Sequence, residues 1–113
     1  MIGLDSNVLV RYLTLDDPRQ AAIATRFIET ELSPRRKGHV SLVALAELAW
    51  VLRSRYDVTR GELAEALLHL VADERFAFQD GNAVWAALDL YREQSVDFSD
   101  ALIAALDRDL VGC

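Results

Sequence analysis

The chain has 113 residues, enough for one compact domain with a real core and too few for two, so a single domain over residues 1–113 is expected. Its net charge of −6 argues against a protein that grips nucleic acid through a basic coat, and its one cysteine, Cys113, leaves no internal disulfide and suits a reducing compartment. The opening MIGLDSNVLV lacks a basic and apolar leader and no apolar run reaches membrane length, so a cytoplasmic protein that does not enter the membrane is expected.

Taken in order, Ile2–Asp5 reads as a short buried strand, after which Val8, Leu9, Tyr12 and Leu13 take the helical period. Asp17-Pro18 signals a helix start, with Asp17 as cap and Pro18 in the first turn, and that helix runs to about Glu31. Ser33-Pro34-Arg35-Arg36-Lys37-Gly38 is a loop whose three cations fit a solvated turn better than an RNA contact. His39–Leu42 is a second strand, and Ala44–Tyr56 a helix with apolar residues on almost every side, hence a buried one. Thr59-Arg60-Gly61-Glu62 has the capping-box pattern and opens a helix whose apolar face is Leu63, Ala66, Leu67, Leu70 and Val71. Arg75–Phe78 is a third strand, Val84 to Tyr91 a further helix, and Asp97-Phe98-Ser99-Asp100 leads into the last, with Gly112 as its C-terminal cap. Strands alternating with helices predict an α/β fold around a parallel sheet, with ligands beyond the carboxyl ends of the strands.

Four acids stand out against this frame. Glu47 is the only charged position between His39 and Arg53, in a helix whose neighbours one turn away are Val43, Ala44, Trp50 and Val51. A carboxylate with little access to water is paired with a cation, neutralised or bound to a metal, so an arginine salt bridge and a functional role compete for it. Asp5 ends the first strand, where capping the next helix is a common use, and Asp100 sits in a first helical turn that favours an acid. Asp97 can cap that same helix, and the structural role is the stronger reading for it. Yet Asp5, Glu47 and Asp100 each fall at or soon after a strand-to-helix transition, so one sheet edge could collect all three. Clustered carboxylates suit a hard divalent cation such as Mg2+, which takes oxygen ligands and activates water for phosphoryl chemistry.

The segments IGLDSNVLVRYLT, LVALAELAWVLRSRYDVTRGEL and VDFSDALIAALDRDLVGC closely resemble VapC-type PIN domains, the toxins of type II toxin-antitoxin systems, in order and spacing over nearly the whole chain. The resemblance implies a three-layer α/β/α fold and an endoribonuclease cutting structured RNA such as transfer or ribosomal RNA, with Mg2+ or Mn2+ as cofactor. It implies Asp5, Glu47 and Asp100 as metal ligands, Asp97 as a nearby acid of less certain role, and Ser6, where relatives usually carry Thr, as a hydroxyl that orients Asp5 or a metal-bound water. It also implies a homodimer and a VapB-type antitoxin that covers the acidic site and an apolar groove, for which Tyr12, Leu13, Phe27 and Ile28 are candidates, each of them equally suited to ordinary core.

Relatives continue past the Gly-Cys element into another strand with a fourth acid, so the comparison implies a chain short at its C-terminal end, with the final strand missing. A catalytically impaired protein that keeps dimerisation or antitoxin binding is therefore the alternative. An aspartyl-phosphate hydrolase is disfavoured, because Asn7 replaces that class's second Asp and Lys37, the only Lys, lies in an early loop. The five glycines form no phosphate-cradling loop, and His39 and His69 have no partner at zinc spacing.

Overall fold

The computed structural model describes residues 2–14 and 17–111, with side chains to Asp107; the expected cap at Gly112 lies outside them. Three short strands, β1 (Ile2–Gly3), β2 (Gly38–Val40) and β3 (Phe76–Phe78), form a parallel sheet in the order β1-β2-β3. Six helices complete the described chain: α1 (Ser6–Leu13), α2 (Pro18–Glu31), α3 (Leu42–Ser54), α4 (Arg60–Ala72), α5 (Gly81–Glu93) and α6 (Phe98–Val111). Ile2 is paired with Gly38, and Gly38 in turn with Phe76, so β2 is central and β1 and β3 are edges among the described residues. This is the mixed α/β architecture that the alternation of strands and helices predicts. None of the described helices is long and apolar enough to cross a membrane.

The helix starts follow the capping chemistry in the sequence. Asp17 accepts from the backbone N–H groups of Arg19 and Gln20, with Pro18 in the first turn. Thr59 and Glu62 form the reciprocal capping box, which holds the Glu62 carboxyl below its ordinary range. Ser41 caps α3 by accepting from Ala44 N–H at 3.1 Å, and Asp80 caps α5 by accepting from Ala83 N–H at 3.1 Å. The Ser33–Arg36 turn closes through two backbone hydrogen bonds of 3.0 Å and leaves Arg35 and Arg36 exposed, as a solvated turn should. After α3 the chain reverses at Asp57, which takes the left-handed conformation (φ 55°) that Asp tolerates better than most residues.

The core joins the sheet to α1–α5 through Leu9, Ile28, Val40, Leu45, Leu48, Leu63, Leu67, Val84 and Leu88, which are fully buried, and to α6 through Phe98, Ala101 and Leu102. Gly38 shows how tightly the central strand is packed: a Cβ there would lie 2.6 Å from Leu4 Cδ1 and 2.9 Å from Leu32 Cδ1, both on buried side chains. Gly38→Ala should therefore cost about 1–3 kcal/mol through overpacking, read as a lowered urea midpoint with an unchanged slope. At the amino end of β3, Arg75 donates to Asp73 at 2.7 Å and to Tyr12 Oη at 3.2 Å, tying α1 to the sheet. Its guanidinium holds the Asp73 carboxyl below the usual carboxylate range. This ion pair lies before β3, whereas Asp5 lies just beyond β1.

Candidate active site

Asp5 follows β1 and occupies the N-cap of α1, where its Oδ1 accepts from Asn7 N–H at 2.7 Å. The capping role read from the sequence is therefore real, and it uses only one carboxylate oxygen. The next residue, Ser6, is buried. Its Oγ donates to Glu47 Oε1 at 2.6 Å, a bond between residues 41 apart in sequence that joins the end of β1 to the second turn of α3. A hydroxyl donor to a carboxylate makes a strong, short bond, which fixes one Glu47 oxygen and leaves the other available.

Two expectations for α3 need correction. Glu47 is exposed rather than buried, and its partner is Ser6 rather than an arginine. The helix is buried on one side only: Leu45, Leu48, Ala49 and Leu52 face the core, while Val43, Glu47 and Trp50 are exposed, Val43 at 76% and Trp50 at 58%. Apolar composition all round a helix signals full coverage only if something covers each face, and among the described residues nothing packs over this one. Glu47 and Trp50 line a cleft of about 410 Å³ together with Asn7, Val10, Val51, Arg55 and Tyr56.

The acids of α6 arrive by a different route from the one expected. They follow the turn from α5 to α6, not a strand, so Asp100 does not stand at a strand-to-helix transition. Asp97 occupies the cap position, with its backbone carbonyl accepting from Ala101 N–H at 3.0 Å, but among the described residues its carboxylate makes no capping bond. The side chain instead lines a second cleft, of about 370 Å³, with Trp50, Arg53, Tyr91 and Ser99 among its walls. The start of α6 is thus packed beside α3, one turn along from Glu47. Asp100 is exposed in the first turn of α6.

Ser6 and Glu47 are therefore in direct contact, Asp5 is the chain neighbour of Ser6 and bonds to Asn7 N–H, and Asp97 is brought beside α3. No three His, Cys, Asp or Glu side chains among the described residues form a group able to hold an ion as they stand. None of the four acids is salt-bridged to a described cation; the ion pairs among the described residues are Glu31–Arg36 and Asp73–Arg75. Exposed carboxylate oxygens are hard donors of the kind a divalent cation takes.

Sequence reading missed Arg60. It lies in the first turn of α4, and its guanidinium donates to the carbonyls of Tyr91 (2.8 Å), Gln94 (2.8 Å) and Val96 (2.7 Å). It also sits 4.0 Å over the Tyr91 ring, and so holds the turn that delivers Asp97 and Asp100. Nothing local in the sequence marks a contact more than 30 residues away.

A parallel sheet flanked by helices, with acids at the cap of α1, on α3 and at the start of α6, defines a mixed α/β protein. Residues 2–107 match the PIN domain family, and the chain belongs to that family. PIN domains are typically nucleases and usually use divalent metals. No curated protein and no solved structure matches the chain.

Proposed function

We propose that residues 1–113 form one PIN domain acting as a metal-dependent endoribonuclease, the toxin of a VapBC-type pair, which hydrolyses phosphodiester bonds of structured RNA in the cytoplasm. The observation that carries this reading is the 2.6 Å bond from Ser6 to Glu47, which spends a buried hydroxyl on aiming an exposed carboxylate beside the Asp5 cap. Asp5, Glu47 and Asp100 would hold Mg2+, or Mn2+ in its place, and the bound cation would supply an activated water and charge stabilisation at the phosphate. Ser6 sets the orientation of Glu47. Asp97, which lines the adjoining cleft, would be the nearby acid that accepts a proton or orients water.

An apolar cleft of about 230 Å³ between α1 and α2, lined by Val8, Arg11, Gln20, Ile23, Ala24 and Phe27, supports a VapB-type antitoxin as partner. Ile23 is 65% exposed there, a cost a bound apolar segment would relieve. Among the residues expected to line such a groove, Ile28 is fully buried and belongs to the core, whereas Phe27 does reach the cleft. Exposed Trp85 on α5 and Ile103 on α6 offer apolar surface to a second copy in a homodimer.

Purified protein incubated with total RNA should give discrete fragments with Mg2+ or Mn2+ and none with chelator; intact RNA under every condition would refute the nuclease reading. Ser6→Ala should raise the half-saturating Mg2+ about 10- to 100-fold with the fold intact, since it removes the hydrogen bond that orients a ligand. Initial rates across a Mg2+ series beside a thermal melt would measure this, and an unchanged half-saturating Mg2+ would leave Ser6 without that role.

A further inference from the structure

Trp50 is unusual in being a large aromatic side chain that stands in solvent at the centre of the candidate site. It lies one helical turn from Glu47 on the same exposed face of α3 and forms a wall common to two clefts. One cleft contains Glu47 and Arg55, and the other contains Asp97 and Arg53. The Arg55 guanidinium lies 5.9 Å from the Trp50 ring centroid, and Arg53 follows three residues along the helix. Each of the two clefts that Trp50 lines thus holds one candidate acid and one arginine, in a chain whose net charge is −6. Tyr91, which also lines the second cleft, has a buried hydroxyl with no hydrogen-bond partner among the described residues.

Resting on the nuclease reading above, we propose that Trp50 is the platform on which an unpaired base of the RNA substrate stacks, with Arg53 and Arg55 contacting the phosphates on either side. Every base has a π-face, so an exposed indole accepts it without regard to sequence, and planar guanidinium groups suit the flanking phosphates. Bases inside a duplex offer no free face, so the site selects a nucleotide in a loop, bulge or single strand. Stacking at Trp50 brings the adjoining phosphodiester alongside Glu47. Charge is what favours RNA over a second protein copy here: an apolar copy-to-copy interface would bury Glu47, Arg53 and Arg55 beside the ring.

The chain has two tryptophans, so a Trp85→Phe background makes Trp50 the only indole reporter. In that background, with Asp5→Asn added to silence cleavage and Mg2+ present, a mixed-sequence single-stranded decaribonucleotide should quench the Trp50 fluorescence by half or more. The same sequence as a duplex should leave it unchanged. With otherwise native protein, Trp50→Ala should raise the KM for RNA about 10-fold or more with kcat within about 3-fold, and Trp50→Phe should restore most of the loss. Unquenched fluorescence, or an unchanged KM in Trp50→Ala, overturns the proposal even if the protein cuts RNA. Dissociation of a dimer by Trp50→Ala in sedimentation, with KM unchanged, would assign the face to a second copy instead. Quenching in a protein that cuts no RNA would keep the platform and refute the nuclease reading alone.

Discussion

Asp5→Asn should lower metal-dependent RNA cleavage by about 100-fold or more while leaving stability within about 0.5 kcal/mol of the parent. The two halves of this expectation have different physical origins. Asparagine caps helices as well as aspartate does, and its side-chain carbonyl can still accept from Asn7 N–H, so the start of α1 is preserved. The negative charge, which a cation needs and a cap does not, is lost. Asp5→Ala removes both and should cost about 1 kcal/mol of stability in addition to the activity. Urea unfolding and initial cleavage rates on the same two variants therefore separate the roles. Full cleavage by Asp5→Asn together with a destabilised Asp5→Ala would reduce Asp5 to a helix cap.

Local chemistry was legible in the sequence wherever it depends on near neighbours. The Asp17-Pro18 start and the Thr59–Glu62 capping box appear where their residue types predict them, because each is complete within four residues. The three strands fall within a residue or two of their expected bounds, and the parallel order follows from the helices between them. Burial was less legible. Periodicity identifies which residues are apolar, but it does not reveal whether another element covers them, so α3 read as buried while Val43, Glu47 and Trp50 stand in solvent. The same gap left an arginine salt bridge and a functional role as alternatives for Glu47, whose partner is Ser6, the neighbour of another candidate acid.

The acids stand out in the sequence by their positions, and the resemblance matches them to the family's ligands, but the sheet edge from which their grouping is argued serves only part of the set. Asp5 does follow a strand, and Ser41, which caps the helix of Glu47, follows another. Asp97 and Asp100 depend on how α6 packs against α3 and α5, which strand order does not specify. Their position is set by a turn between two helices, and that turn is held from outside by one side chain.

That side chain is Arg60, and its loss should have the largest effect on stability of any change outside the core. The last turn of α5 presents carbonyls with no intrahelical partner at the negative end of the helix dipole, and the guanidinium supplies donors and charge there at once. It donates to Tyr91 and Gln94 at the end of α5 and to Val96 in the turn beyond, all within 2.8 Å, while stacking on the Tyr91 ring. Charged donors of this kind contribute more than neutral ones, so Arg60→Ala should cost about 3 kcal/mol. Arg60→Lys should recover little of it, because an ammonium group cannot span the three carbonyls as a planar fork does. Cleavage should fall with stability, since the 94–97 turn sets where Asp97 and Asp100 stand. Hydrogen exchange of residues 94–101 in Arg60→Lys, measured under conditions where the rest of the chain stays protected, tests this directly: selective deprotection is expected. Protection equal to the parent, with an unfolding free energy within about 0.5 kcal/mol, would mean the turn holds without Arg60.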